Sequence, residues 1–190
     1  MPLAQLTTCF RLGDLSVDWE PRYQQAYDAS SFSVAGIITS ISFVGGLGDF
    51  RPGDYTLSLS TISAGIDTLS ISDFDGNLGA DNQLFTTVSL SGAVPATLTL
   101  TGALFSYDPA LGNLLLDISI ANGGSNPVAR GSYDAHSGTA DGLFSRYHNF
   151  GVGTLGYGLV TQFETIPEPA SVILFGSGLA ALLLARWRSR

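Results

Sequence analysis

The chain has no lysine, one cysteine and two histidines, and only 13% of its 190 residues are charged. The lone Cys9 excludes an internal disulfide framework and any zinc or iron–sulfur site built from several cysteines. Acidic residues outnumber arginines 16 to 8, so the chain lacks the basic face that nucleic-acid phosphates require. Hydrophobic residues make up 45% of the chain, enough for one domain with its own core. The sequence predicts a folded, acidic protein that does not bind nucleic acid.

Short segments in the middle of the chain alternate apolar and polar residues with the period of two that is typical of half-buried β-strands. Clusters of Gly and Pro, which favour turns, separate these segments at intervals of about 8–12 residues. This spacing predicts an all-β fold, an antiparallel, jelly-roll-like β-sandwich over residues 30–165. The candidate strands are residues 32–44, 55–60, 66–71, 83–91, 98–101, 116–120, 143–147 and 155–163. Residues 1–29 form an N-terminal segment of uncertain status, in which residues 16–29 are a candidate short helix.

The charge changes sign near the C-terminus. Five arginines stand against fifteen acidic residues before residue 166, whereas three arginines and one glutamate follow. Residues 170–185 carry no charge, and a helix of this length spans about 24 Å, slightly less than the ~30 Å of a hydrocarbon core. Trp187 and the flanking arginines extend the useful length by lying in the headgroup layer. The segment predicts a single C-terminal transmembrane helix, with a buried helix of the domain as the alternative.

Three features follow one another at this end: residues 166–171 read Ile-Pro-Glu-Pro-Ala-Ser, an apolar run comes next, and arginines close the chain. This order resembles the PEP-CTERM sorting signal of Gram-negative bacteria, and residues 166–190 are the sorting segment. The resemblance implies recognition and processing by an exosortase, a membrane enzyme. Carried over by position, the recognition tripeptide is Pro167, Glu168 and Pro169. The cytoplasmic stop is Arg186, Arg188 and Arg190.

The resemblance also implies a location. Family members are exported and held in the inner membrane by this helix, then reach the cell surface or the biofilm matrix, often in strains that secrete exopolysaccharide. Residues 77–85 and 105–117 resemble the β-rich ectodomains of such proteins, most of which have no known activity. Their precursors begin with a secretory leader, whereas residues 1–10 have no basic start and no long apolar run. We therefore expect a leader upstream of Met1, or a native beginning that differs from residues 1–30.

Proline chemistry gives the tripeptide a physical meaning. Two prolines hold φ near −65° and disfavour helix and sheet pairing, so we expect an extended, accessible segment at the membrane surface. Glu168 is the only charged residue between Glu164 and Arg186, and a receptor could recognise it. The alternative is a stiff spacer next to the membrane.

Residues 73–81 place acids or amides at alternate positions, as calcium-binding loops do. Asp73, Asp75 and Asp81 are the candidate ligands. The segment departs from the EF-hand pattern, because Leu78 replaces the glycine at the sixth position and Leu84 the glutamate at the twelfth. The alternative is a loop in which short acidic side chains accept hydrogen bonds from their own backbone.

Two further sets of residues are weaker candidates. Ser, His and Asp side chains near residue 140 have the types of a hydrolase triad or a zinc site but no local signature of either. Aromatic residues could stack on sugar rings, or could be core residues. The first set is Asp134, His136, Ser137, Asp141, Ser145 and His148; the second is Trp19, Tyr23, Tyr27, Tyr133, Tyr147 and Tyr157.

We therefore expect a non-enzymatic exported protein without a cofactor. The alternatives are a carbohydrate-binding module for exopolysaccharide and, third, a secreted hydrolase.

Overall fold

A computed structural model describes residues 8–11, 22–122, 131–137, 144–148, 152–155 and 157–167. These residues form twelve β-strands and one 3₁₀ turn, Ala29–Ser31. The strands are β1 (Thr8–Arg11), β2 (Arg22–Tyr27), β3 (Gly36–Val44), β4 (Asp49–Ile62), β5 (Gln83–Ala93), β6 (Thr97–Tyr107), β7 (Asn113–Ala121), β8 (Ser132–Ser137), β9 (Phe144–His148), β10 (Val152–Leu155), β11 (Tyr157–Leu159) and β12 (Thr161–Pro167).

The strands build three sheets in which the neighbouring strands are antiparallel. The six-stranded large sheet has the order β10-β9-β2-β7-β4-β5. The β12 sheet has the order β12-β3-β6, and the β8 sheet has the order β1-β8-β11. The predicted all-β, antiparallel fold is confirmed. The finer prediction of a jelly-roll-like sandwich stays a prediction.

Alternation along the strands divides the large sheet into two different faces. On one face, β4 and β7 contribute buried side chains such as Leu57, Leu59 and Leu116 to the main core. The β12 sheet supplies Ile41 and Phe43 to the same cluster, so these two sheets share one core. On the opposite face, a second and smaller cluster lies under the connection between β4 and β5. It consists of Ala26, Ile62, Ile66, Leu69 and Leu115.

The structure corrects the expectations for the first thirty residues. Part of the candidate helix at 16–29 is strand β2, which lies between β7 and β9 in the large sheet. Its residues alternate between the two faces, and both faces are covered, so the strand shows no simple alternation of polar and apolar types. The β structure therefore begins before residue 30, where we expected the ectodomain to start.

Two other local signals proved misleading. Residues 66–71, a candidate strand, are irregular, and their apolar residues Ile66 and Leu69 pack onto the large sheet from the loop. Pro52-Gly53 is one of the Gly and Pro clusters that we expected to form turns. It lies within β4, at a register shift between Phe50 and Gly53. A bulge accommodates proline and glycine inside a strand, which explains why the turn signal failed there.

Candidate functional site

The predicted sorting segment begins on an edge strand. Strand β12 pairs with β3 at the border of the β12 sheet, and Pro167, its last residue, lies opposite Gly36. The strand is fastened at Glu164, whose carboxylate Oε2 accepts a hydrogen bond from the Ser40 hydroxyl at 3.0 Å. Residues 164–167 are exposed to solvent. The segment therefore leaves the domain along an accessible surface.

The structure corrects the prediction for the backbone of Pro167. We expected the prolines of the tripeptide to prevent sheet pairing, but Pro167 continues the β12 ladder. An edge strand tolerates proline because one side of its backbone needs no partner within the sheet. The other predicted sorting residues, Glu168, Pro169, Arg186, Arg188 and Arg190, lie outside the described residues. The predicted transmembrane helix lies there too, and within the described part of the chain no helix is long and apolar enough to cross a membrane.

The candidate calcium loop contains carboxylates with separate partners. Asp73 Oδ1 accepts a hydrogen bond from the Gly76 N–H at 2.9 Å, and Asp81 Oδ1 accepts one from the Thr61 N–H at 2.7 Å. Asp75 forms an ion pair with Arg22 at 2.6 Å. Across the described ranges no three His, Cys, Asp or Glu side chains come together in a way that could hold a metal ion. Calcium binding at Asp73, Asp75 and Asp81 stays a prediction that this arrangement does not favour.

Arg22 is the centre of the cluster that holds this loop to the large sheet. Its Nε and Nη2 donate to the two oxygens of Asp117 at 2.9 and 3.1 Å, while Nη1 donates to Asp75. Its guanidinium also lies over the Phe74 ring, 5.8 Å from the ring centroid. Burial by itself lowers the pKa of Arg22, but the hydrogen bonds and charges of Asp117 and Asp75 outweigh it and raise the pKa. The arginine stays charged and joins strands β2 and β7 to the loop.

A second polar link runs beside it. Asn77, buried in the loop, donates from Nδ2 to Gln24 Oε1 of β2 and to the Ser70 carbonyl, both at 2.8 Å. Gln24 in turn donates to the Phe74 carbonyl at 2.9 Å. Sequence reasoning missed both links, although the Arg-Tyr-Gln-Gln sequence of β2 places three polar residues in one short segment. The partners of Arg22 and Gln24 lie 50 to 95 positions away along the chain, so no local pattern identifies them.

A cleft of about 670 Å³ opens beside β12. Its rings pack edge to face: Tyr27 against Phe163 with centroids 5.0 Å apart, and Phe32 against Tyr107 at 4.9 Å. Hydroxyl and amide side chains surround these rings, and among the described residues no Asp, Glu, Lys or Arg lines the cleft. The polar lining residues are Gln25, Ser31, Ser33, His136, Thr161, Gln162 and Thr165. This described lining suits an uncharged polar ligand.

Half of the six predicted sugar-stacking aromatics are buried core residues. Tyr23, Tyr27 and Tyr133 are buried, and Tyr133 is fully inaccessible. Burial raises the pKa of Tyr133 well above its ordinary value, with a smaller contribution from Tyr55. Trp19 and the side chains of Tyr147 and Tyr157 lie outside what the structure describes. Of the rings that border the cleft, Tyr27 was a candidate, whereas Phe32, Tyr107 and Phe163 were not, because only the fold brings them together.

The candidate triad residues are divided between two sheets. Asp134, His136 and Ser137 are on β8, whereas Ser145 and His148 are on β9 of the large sheet. Asp134 is half-buried beside Gly45, and His136 is exposed at the border of the cleft. Asp141 and the side chains of Ser137, Ser145 and His148 lie outside the described part.

Comparison with known proteins bears on the C-terminal segment. Residues 165–189 match the family model of the PEP-CTERM protein-sorting motif. The prediction of this motif is confirmed, and the match includes Pro167, Glu168 and Pro169. The motif is the sorting signal that an exosortase recognises, which supports exosortase-dependent sorting of a secreted protein.

The comparison with curated proteins gives a short match. Over 74 residues, 39% of its length, this chain is 32% identical to thiamine thiazole synthase from Methanococcus aeolicus. This chain spans only 28% of the length of that curated relative, so no activity is transferred from it. No solved structure matches the chain.

Proposed function

We propose that this protein is exported cargo of an exosortase, which recognises the Pro167–Pro169 region and separates the β domain from its membrane segment. The match of residues 165–189 to the PEP-CTERM motif is the observation that carries the proposal. The edge position of β12 supports it as well, since the exposed residues 164–167 lead the chain toward the motif along an open surface. The enzyme would thus meet an extended substrate at the border of a folded domain.

In this proposal residues 170–185 insert into the inner membrane and the terminal arginines stay on the cytoplasmic side. The uncharged run is just long enough for a thin hydrocarbon layer, and arginine-rich flanks remain in the cytoplasm. A span with Gly176 and Gly178 is a weak permanent anchor, suited to transient retention before processing. The β domain then faces the outside and is released to the cell surface or the biofilm matrix.

A sorting experiment tests the proposal directly. The full chain, with a working leader, is expressed in hosts with and without an exosortase. The mass of the protein in the membrane fraction and in the released fraction is then measured by mass spectrometry. We expect release only in the host with the exosortase, and replacement of Pro167, Glu168 and Pro169 by Ala should abolish release while leaving membrane insertion intact. Replacement of Pro95 by Ala, in the exposed turn between β5 and β6, is the control and should release normally. Equal retention of the full-length form in both hosts would show that the segment is merely an anchor.

For the released β domain we propose a non-enzymatic role in the matrix, with binding of an uncharged saccharide in the cleft as the candidate activity. Aromatic rings cover the apolar faces of sugars, while hydroxyl and amide groups exchange hydrogen bonds with sugar hydroxyls. The cleft combines Phe32 and Phe163 with Ser33 and Gln162, and its described lining includes no carboxylate that would repel an acidic polymer or attract a cation. This composition is the specific observation that favours the second function.

Calorimetry with dextran, a neutral glucose polymer, tests it. We expect measurable binding that the double variant Ser33→Ala, Gln162→Ala weakens at least several-fold, since both residues are exposed and leave the core intact. The matched control is Ser91→Ala, Gln83→Ala, two exposed positions on β5 that do not line the cleft. No binding by the unaltered chain, or equal binding by both double variants, would refute the cleft as a dextran site.

A further inference from the structure

The point at which the chain leaves the domain is well defined. Gly36 of β3 pairs with Pro167 of β12 on one side and with Tyr107 of β6 on the other. These three residues mark one end of the β12 sheet, called here the Gly36 end. The chain passes from this end into Glu168 and Pro169 and then into the uncharged run that starts at Ala170.

Three large hydrophobic side chains near this end are exposed to solvent. Val34, two residues before Gly36, is 68% exposed. Leu111, in the tight turn that follows Tyr107, is 72% exposed, and Ile166, opposite Ile37, is 48% exposed. Exposed apolar residues that are grouped in this way mark a contact surface more often than scattered ones do.

The chain length sets the distance between this end and the apolar run. The two residues Glu168 and Pro169 span at most about 7 Å when fully extended. If residues 170–185 enter a bilayer, as the proposed function requires, the Gly36 end lies within roughly one headgroup layer of the membrane. The domain has no long linker on which to move away from the lipid.

We propose that the Gly36 end rests on the lipid surface, with Val34 and Leu111 inserted among the headgroups before the domain is released. The inference rests on the proposed membrane insertion of the tail. In the described part of the chain, no arginine lies in the segments that form this end, residues 32–37, 105–112 and 164–167, and Asp28 and Asp108 lie near Tyr107, so anionic lipids would repel it. The contact is therefore with neutral, zwitterionic lipid, and it relies on apolar insertion without electrostatic attraction. It would hold β12 in one orientation at the bilayer surface, where a membrane enzyme works.

Depth-dependent quenching tests this contact in the full chain. Cys9 is replaced by Ser, single cysteines are introduced as Val34→Cys or Leu111→Cys, and each is labelled with an environment-sensitive fluorophore. The control is Leu47→Cys: Leu47 is 61% exposed but follows the opposite end of β3, about 27 Å away at the rise of a β-strand. The proteins are reconstituted into phosphatidylcholine vesicles that contain a lipid with a nitroxide on its headgroup.

We expect labels at positions 34 and 111 to be quenched at least three-fold more strongly than the label at position 47, and flotation of the vesicles to carry the protein with them. Flotation with equal quenching at all three positions would overturn the lipid contact and leave the proposed sorting function standing. Failure of the chain to float would refute membrane insertion of the tail, and the lipid contact with it. Adding one third phosphatidylserine should reduce the quenching at positions 34 and 111; an increase would contradict a contact that forms without electrostatic attraction.

Discussion

The two faces of the large sheet are built in different ways. The face toward the main core is apolar and aromatic, with Leu57, Leu59 and Leu116 almost fully buried. The opposite face has a small apolar cluster and depends on side-chain pairs, Arg22 with Asp117 and Gln24 with Asn77, to hold the loop between β4 and β5. Apolar burial tolerates many partners, whereas a buried polar group needs one partner at the correct distance. The packing of the first face therefore does not require particular pairs of residues, whereas the second face does.

The largest expected effect is on the apolar face. Leu59→Ala removes a fully buried side chain and leaves a cavity in the main core, so we expect the free energy of unfolding to fall by about 2–5 kcal/mol. Urea denaturation measures the loss. Leu84→Ala, the same substitution at an exposed position on the neighbouring strand β5, should change the stability by less than about 0.5 kcal/mol. Similar losses in the two variants would mean that the main core is not where the structure places it.

The next effect separates polar specificity from burial. Arg22→Met should cost about 2–3 kcal/mol, because it leaves the largely buried Asp117 carboxylate without its bidentate partner. The double variant Arg22→Met, Asp117→Leu should recover a large part of that loss, since it removes the uncompensated charge as well. Equilibrium unfolding of Arg22→Met, of Asp117→Leu and of the double variant gives the coupling free energy between Arg22 and Asp117. Strict additivity would show that Arg22 and Asp117 do not act as a pair.

Alkaline pH tests the apolar face in a different way. Burial raises the pKa of Tyr55 to about 12, above the value of about 10 expected in the unfolded chain. The folded state therefore favours the protonated phenol, and the resulting stability is complete below pH 10 and lost as the pH rises through 12. Between pH 9 and pH 11 we expect Tyr55 to contribute a fall of about 1.4 kcal/mol that Tyr55→Phe does not show. Urea unfolding at the two pH values measures it, and the absence of lysine keeps amine side chains out of this range.

The smallest effect concerns the exposed half of the Arg22 cluster. Asp75 is 82% exposed, so Asp75→Asn should change the stability by less than about 0.5 kcal/mol despite its short ion pair. Asp117→Asn, at 11% exposure, should cost clearly more because its charge is shielded from water. Thermal unfolding of both variants, in low salt and in 0.5 M salt, measures the two losses of stability and their salt dependence. Equal costs, or a strong salt dependence for Asp117→Asn alone, would contradict the difference in burial.

Several strands were predictable because their apolar and polar residues alternate, as expected when one face of a strand packs against the core. Residues 55–60 and 116–120 alternate, and both lie in long strands of the large sheet. Residues 66–71 were mistaken for a strand because Ile66 and Leu69 are buried for another reason, as the underside of a loop. Strand β2 was mistaken for a helix because both of its faces are covered. Local periodicity reports burial on one side of a segment, and it fails where a segment is buried on two sides or by a loop.

The sequence by itself determined the sorting motif of this protein: the tripeptide, the uncharged run and the arginines follow one another along the chain, so a linear pattern identifies them. It also determined the all-β class, since a period of two needs no knowledge of partners. Only the tertiary structure decided which residues meet. Arg22 and Asp117 are 95 positions apart, and the cleft collects residues from six strands and the segment between β2 and β3. Such contacts depend on strand order and register, and these follow from the packing of the whole chain.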